Sequence, residues 1–146
     1  MLEGIKHAHS GLRWILLLLL VMAIFNALNG WLKKKPYESS DRKLHLFAMI
    51  FIHIQIVIGL ISYILNMGKK VNFGAMSNSI IRFYTVEHIT MMLVAMIVVT
   101  VGFSRAKRIV ETPKKYKTIF IFYLIGLLII LAGIPWPFRI DGAGWF

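Results

Sequence analysis

Four side chains stand where an apolar environment should reject them: His53 and Gln55 in one hydrophobic stretch, Glu87 and His88 in another. Polar and ionisable groups in such stretches are rare, because hydrocarbon disfavours them, and they mark cofactor, ion or substrate sites. A neutral imidazole nitrogen is a metal ligand, so two histidines at similar depth on neighbouring helices offer the axial positions of a six-coordinate b-type haem iron. His53 and His88 form such a pair. His53 lies about nine residues, roughly 13 Å, from the inner end of its helix, and His88 about seven residues, roughly 10 Å, below the outer end of an antiparallel one. Their depths then differ by about 5–7 Å in a hydrocarbon core about 30 Å thick. The competing reading is a histidine that only hydrogen-bonds a neighbouring helix.

A second cluster gathers toward the outer surface. His9 and Arg13 are one helical turn apart and share a face, while Arg82, Glu87, His88 and Arg139 enter or leave the apolar stretches on the same side. Arginines in such a pocket hold haem propionates bidentately or bind the head of a quinone, and Glu87 can pass protons or orient His88. Alternatively, the arginines snorkel to the interface and Glu87 neutralises one of them. If the first helix contributes a ligand, His9 is preferred over His7 because it stacks on Arg13. His45, at the inner mouth of the second helix, could belong to a second inner site, although solvation is the expectation. Gln55, Gly59, Ser62 and Asn66 recur at helical spacing opposite His53 and read as a packing seam, which makes the second helix the expected most enclosed member. Met49, Met91, Met92 and Met96 permit a Cu(I) reading, although methionine is also a common core filler.

The elements that must position these groups follow from composition. The chain is 58% hydrophobic and 16% charged, and its apolar residues fall into four blocks that predict helices over about 10–32, 44–67, 81–104 and 118–138, each able to span a bilayer. One transmembrane domain covers 1–146, and the first block is too long for a cleavable signal peptide. The net charge of +11 sits where the blocks end, which argues against nucleic acid and for topology. Two loops hold Lys33, Lys34, Lys35, Arg42, Lys43, Arg105, Lys107, Arg108, Lys114, Lys115 and Lys117. The opposite side holds Lys6, Arg13, Lys69, Lys70, Arg82 and Arg139, so eleven charges face six and both termini are expected outside. There is no cysteine, which excludes disulfides, thiolate metal sites and thioether-linked haem.

Several segments together carry a family likeness: His9-Ser10-Gly11-Leu12-Arg13-Trp14; His53-Ile54-Gln55 with Gly59 and Tyr63; Glu87-His88 with Met91 or Met92; and Ile134-Pro135-Trp136-Pro137-Phe138. Over nearly its whole length the chain resembles a family of small bacterial four-helix membrane proteins described as cytochrome b-like. More distantly, it is similar to helices of haem A synthase and of copper-resistance D proteins. The resemblance implies haem b on His53 and His88, with His9 as a substitute partner, in the bacterial cytoplasmic membrane. A haem A synthase half would carry a histidine in its last helix, and Thr118 to Phe138 contains none.

The expectation is therefore an all-α integral membrane four-helix bundle, N-out and C-out, that carries haem and passes electrons toward or from quinone or a partner oxidoreductase. Its expected partners are the lipid bilayer and other membrane subunits or further copies of itself. The main rival is a cofactor-free accessory subunit of a larger respiratory or transport complex. A small transporter using Glu87 and His88 as a relay is a third reading.

Overall fold

The structure is a computed structural model that describes residues 2–141 and 143–145. Four helices carry the fold: α1 (Leu2–Leu32), α2 (Ser39–Leu65), α3 (Ser79–Arg108) and α4 (Thr112–Gly133). Each is long and apolar enough to cross a membrane. Both termini and the α2–α3 link lie at one end, here the terminal end. The α1–α2 and α3–α4 links lie at the other, lysine- and arginine-rich end, here the basic end.

Local chemistry sets the boundaries. α1 begins at Leu2, well before the apolar block, because Glu3, Lys6 and His7 form a solvated amphipathic turn joined by Glu3–Lys6 and Glu3–His7 contacts. Glu38 and Asp41 build a capping box that starts α2 at Ser39 rather than at 44. Asn78 caps α3 by accepting from the backbone of Ile80 and Ile81. Pro113 sits in the first turn of α4, where its missing N–H leaves nothing unpaired. α4 ends at Gly133 rather than at 138, because Pro135 and Pro137 cannot continue it.

The helices form a ring in chain order, with α4 closing onto α1. α3 and α4 pack most closely. Gly102 lies under Phe122, and Gly126 under Val99, so the two backbones approach where any Cβ would collide. α2 and α3 touch least. The dry core runs along the bundle axis through Leu20 and Ala23 of α1, Ile52 of α2, Val99 of α3 and Ile119 of α4. Leu18, Phe25, Ile64, Ile97 and Leu128 face outward, the inverse of a water-soluble pattern.

The expected rank of enclosure is reversed. In α2 and α3 only 17% of the apolar window is buried, against 33% in α1 and α4. The polar stripe of α2 faces a cavity rather than a packed neighbour, and its other face is open.

Candidate functional site

The cavity lies in the terminal half of the ring, where α2 and α3 splay. It encloses about 410 Å³, within the range of about 300–1,000 Å³ common for ligand sites. α1 contributes His9, Ser10 and Arg13; α2 contributes Gln55, Gly59 and Ser62, with Asn66 just past its end; α3 contributes Tyr84, His88 and Met92. The stripe expected as a seam is thus one wall of the cavity.

A short π-helical turn, Phe83–Glu87, sets the aim of α3. Such a turn adds a residue to the helical register and releases a carbonyl from the ladder. Tyr63 of α2 donates to the Thr85 carbonyl at 2.9 Å, and the Thr85 hydroxyl accepts from the Asn72 backbone at 3.0 Å. These bonds pin the turn, and His88 follows it directly. The His88 ring is held by a 2.7 Å bond between Nδ1 and the Gly133 carbonyl. A carbonyl can only accept, so Nδ1 carries the hydrogen and Nε2 keeps its lone pair.

His9 faces His88 with ring centroids 6.2 Å apart and planes at 82°, and no hydrogen bond joins them. His9 lies over Gly59, where an added Cβ would meet its Cε1 at 3.0 Å. Gln55 donates to the His9 carbonyl at 2.5 Å, fixing the turn that carries the ring. His9 Nδ1, Arg13 Nε and Gln55 Oε1 are all buried without a hydrogen-bond partner. Three unpaired buried polar atoms, from α1 and α2, therefore converge on one cavity, and groups of this kind call for an explanation such as a ligand site.

The remaining candidate residues lie elsewhere. Arg82 and Glu87 pair with each other at 2.9 Å on the exposed rim, so the Gly133 carbonyl, not Glu87, orients His88. Arg139 donates to the Ala132 carbonyl and stacks over Phe83 at 5.6 Å. None of the three lines the cavity. His53 does not share it with His88 either. Its Nδ1 lies 2.8 Å from the Met49 carbonyl in its own helix, and the ring borders a separate groove on the outside of α2.

The tail after α4 covers the terminal mouth. Ala143 and Gly144 line the cavity, and the Trp145 carbonyl accepts from Arg13 at 2.7 Å and from the Trp14 indole at 3.2 Å. Trp145 also stacks on Trp14 and meets Trp136 edge-on.

A second polar centre lies at the basic end. Asp41 accepts from Asn26 at 2.8 Å and from Tyr116 at 2.8 Å. Tyr37 bonds His45 Nδ1 at 2.9 Å, and Tyr123 donates to the His45 carbonyl at 2.6 Å. His45, expected in solvent, is 0% exposed. Burial, and then the Asp41 carboxylate, push the Tyr37 hydroxyl up to about 12. The capping box at Glu38 and Asp41 was the available signal, since it turns Asp41 back toward α1 and α4. The cluster reads as a clamp on α1, α2 and α4.

Among the described residues no three His, Asp or Glu side chains converge on one point. A metal ion held by protein ligands alone, as zinc commonly is, has no such ligand set here. Two imidazoles are enough where a macrocycle supplies the other donors. No protein-family model, curated protein or solved structure matches this chain.

Proposed function

We propose that this chain is a b-type cytochrome of the bacterial cytoplasmic membrane, passing electrons within the bilayer, with one haem held between His9 and His88. The observation that carries the reading is the facing pair itself. His88 is tethered through Nδ1 to a backbone carbonyl, the arrangement that metal-bound histidines adopt to fix tautomer and ring direction. His9 offers a buried nitrogen with no other partner. The two rings lie with centroids 6.2 Å apart and planes at 82°, so they would be the residues to hold the iron.

This pair replaces His53 and His88 as the preferred ligands. When bound, the haem supplies a one-electron redox centre whose potential depends on its axial ligands and their burial. The protein's own part is to hold and shield it. Gly133 keeps the His88 ring aimed, Gly59 leaves space for the His9 ring, and Arg13 offers a cation to carboxylates at the mouth. The apolar core below Ile52 closes the cavity on the basic side. The excess of lysine and arginine at the basic end supports placing that end in the cytoplasm and the haem near the outer surface.

The test is the reduced-minus-oxidised visible spectrum of the purified chain, with pyridine extraction of any porphyrin. The wild type should show a sharp b-type band at near-stoichiometric haem. His9→Ala and His88→Ala should each abolish the low-spin band or convert it to high spin, while His53→Ala should keep it. Loss of the band in His53→Ala alone would restore the other pair. A featureless wild type with haem supplied during expression would point to an accessory subunit.

A further inference from the structure

Eleven lysines and arginines gather at the basic end, and three carboxylates share it: Glu38, Asp41 and Glu111. All three are engaged. Glu38 and Asp41 close the capping box of α2, Asp41 also accepts from Asn26 and Tyr116, and Glu111 pairs with Lys114 at 3.0 Å. Two of the remaining cations are seated on rings. Lys117 Nζ rests over Trp31, 5.3 Å from the ring centroid, and Lys115 Nζ rests over Tyr37 at 4.9 Å. Both lysines come from the first two turns of α4, and both rings from the end of α1 and the link after it. The seam between α1 and α4 therefore carries two positioned ammonium groups. Trp31 also packs on Phe120 of α4, with centroids 5.9 Å apart, and its indole N–H meets no acceptor among the described residues.

The link adds charge to the same place. Lys33, Lys34 and Lys35 follow α1 directly and are exposed. Lys34 closes the helix at φ 49, while the Lys35 N–H bonds the Gly30 carbonyl at 3.1 Å. That is the left-handed region, where a helix end ordinarily uses glycine or asparagine. A lysine there keeps a third cation at the end of the helix that carries Trp31, under backbone strain. Charge asymmetry alone accounts for lysines at this end of the bundle. It does not account for two of them seated on rings, or for an indole donor left unmet beside them. What the seam lacks is an anion with acceptor oxygens, and the outward residues of α1 and α4 toward the middle of the spans, Phe25 and Ile121 among them, are apolar and exposed.

We infer that the seam between α1 and α4 at the basic end binds the headgroup of an anionic phospholipid, whose phosphate oxygens accept from the Trp31 indole and from Lys115 and Lys117, with Lys34 at the rim. Basic pockets between transmembrane helices at headgroup level hold such lipids. The match is one of roles: the phosphodiester only accepts, and the indole and ammonium groups only donate. A zwitterionic headgroup brings its own cation into a set already cationic, and is disfavoured. The inference rests on the membrane placement above. Lipid retention is read without reference to haem, so either reading can fail while the other stands.

The experiment uses the full chain in non-ionic detergent, titrated with dioleoyl phosphatidylglycerol or dioleoyl phosphatidylcholine and read by native mass spectrometry for the lipids retained. The expected result is one phosphatidylglycerol per chain, held at least tenfold more tightly than phosphatidylcholine. Lys115→Gln with Lys117→Gln should reduce that preference at least fivefold. Lys34→Gly, which removes a charge and relieves the strained backbone, should reduce it at least twofold with a melting temperature unchanged or raised. Lys107→Gln with Arg108→Gln takes two charges from α3 at the same end and should leave the preference within twofold. Equal retention of the two lipids, an undiminished preference in the Lys115 and Lys117 double variant, or an equal loss in the Lys107 and Arg108 double variant would overturn the proposal. Displacement of the lipid by glycerol 3-phosphate would assign the seam to a soluble anion and likewise overturn it.

Discussion

His88 and His53 show how similar local chemistry leads to different roles. Both rings rest Nδ1 near a backbone carbonyl, but His88 uses Gly133 of α4 and points into the ring of helices, while His53 uses Met49 of its own helix. Both were conspicuous in the sequence as polar residues in apolar stretches. Helical periodicity gives the angle between residues on one helix and not which face meets a neighbour, so the sequence offered His9 as a substitute partner for His88 but could not rank it above His53. Gly59 makes that pairing testable. Gly59→Val should place atoms against the His9 ring, displace it, and reduce haem content several-fold while leaving helicity by circular dichroism unchanged. Tyr37 gives a second prediction. Its hydroxyl is held up to about 12 from an ordinary 10. The stability that this contributes is complete below pH 10 and is lost as pH rises toward 12. Thermal melts of the wild type should therefore fall across that interval more steeply than those of Tyr37→Phe, which lacks this titration.

At the scale of elements, four spans and their order were written in hydrophobicity, since a bilayer demands about 20 apolar residues and the chain offers four such blocks. The ends were less visible because polar turns extend helices past the apolar blocks, as Glu3 to Lys6 do in α1 and the capping box does in α2. The π-helical turn left no mark in hydropathy, being a matter of hydrogen bonds from Tyr63 and Asn72. The close contact of α3 with α4 depends on glycines whose spacing was equally silent. Gly126→Leu should separate the two helices at Val99 and destabilise the bundle by about 1–3 kcal/mol, the usual cost of overpacking. Unfolding in mixed micelles would measure it. Tyr116 lies at the other end of α4 and bonds both Asp41 and the Pro36 carbonyl. Tyr116→Phe should cost about 1–2 kcal/mol by removing the hydrogen shared between the Pro36 carbonyl and Asp41, which keeps its Asn26 and Glu38 donors.

For the whole molecule, the fold divides labour along its axis: a polar cavity at the terminal end, a dry core in the middle and a tyrosine–histidine clamp at the basic end. Charge asymmetry matches that division and predicts orientation. In intact spheroplasts an impermeant maleimide should label Lys69→Cys readily and Lys34→Cys only after the membrane is opened; the reverse pattern would invert the bundle. The tail over the cavity has a further consequence, for the order in which the molecule is made. Arg13 and Trp145 stand 132 positions apart. At about 5–20 residues per second, a ribosome delivers the second on the order of ten seconds after the first. Throughout that interval His9, and later His88, lack their cover, so the cavity stays open at its terminal mouth until the tail settles.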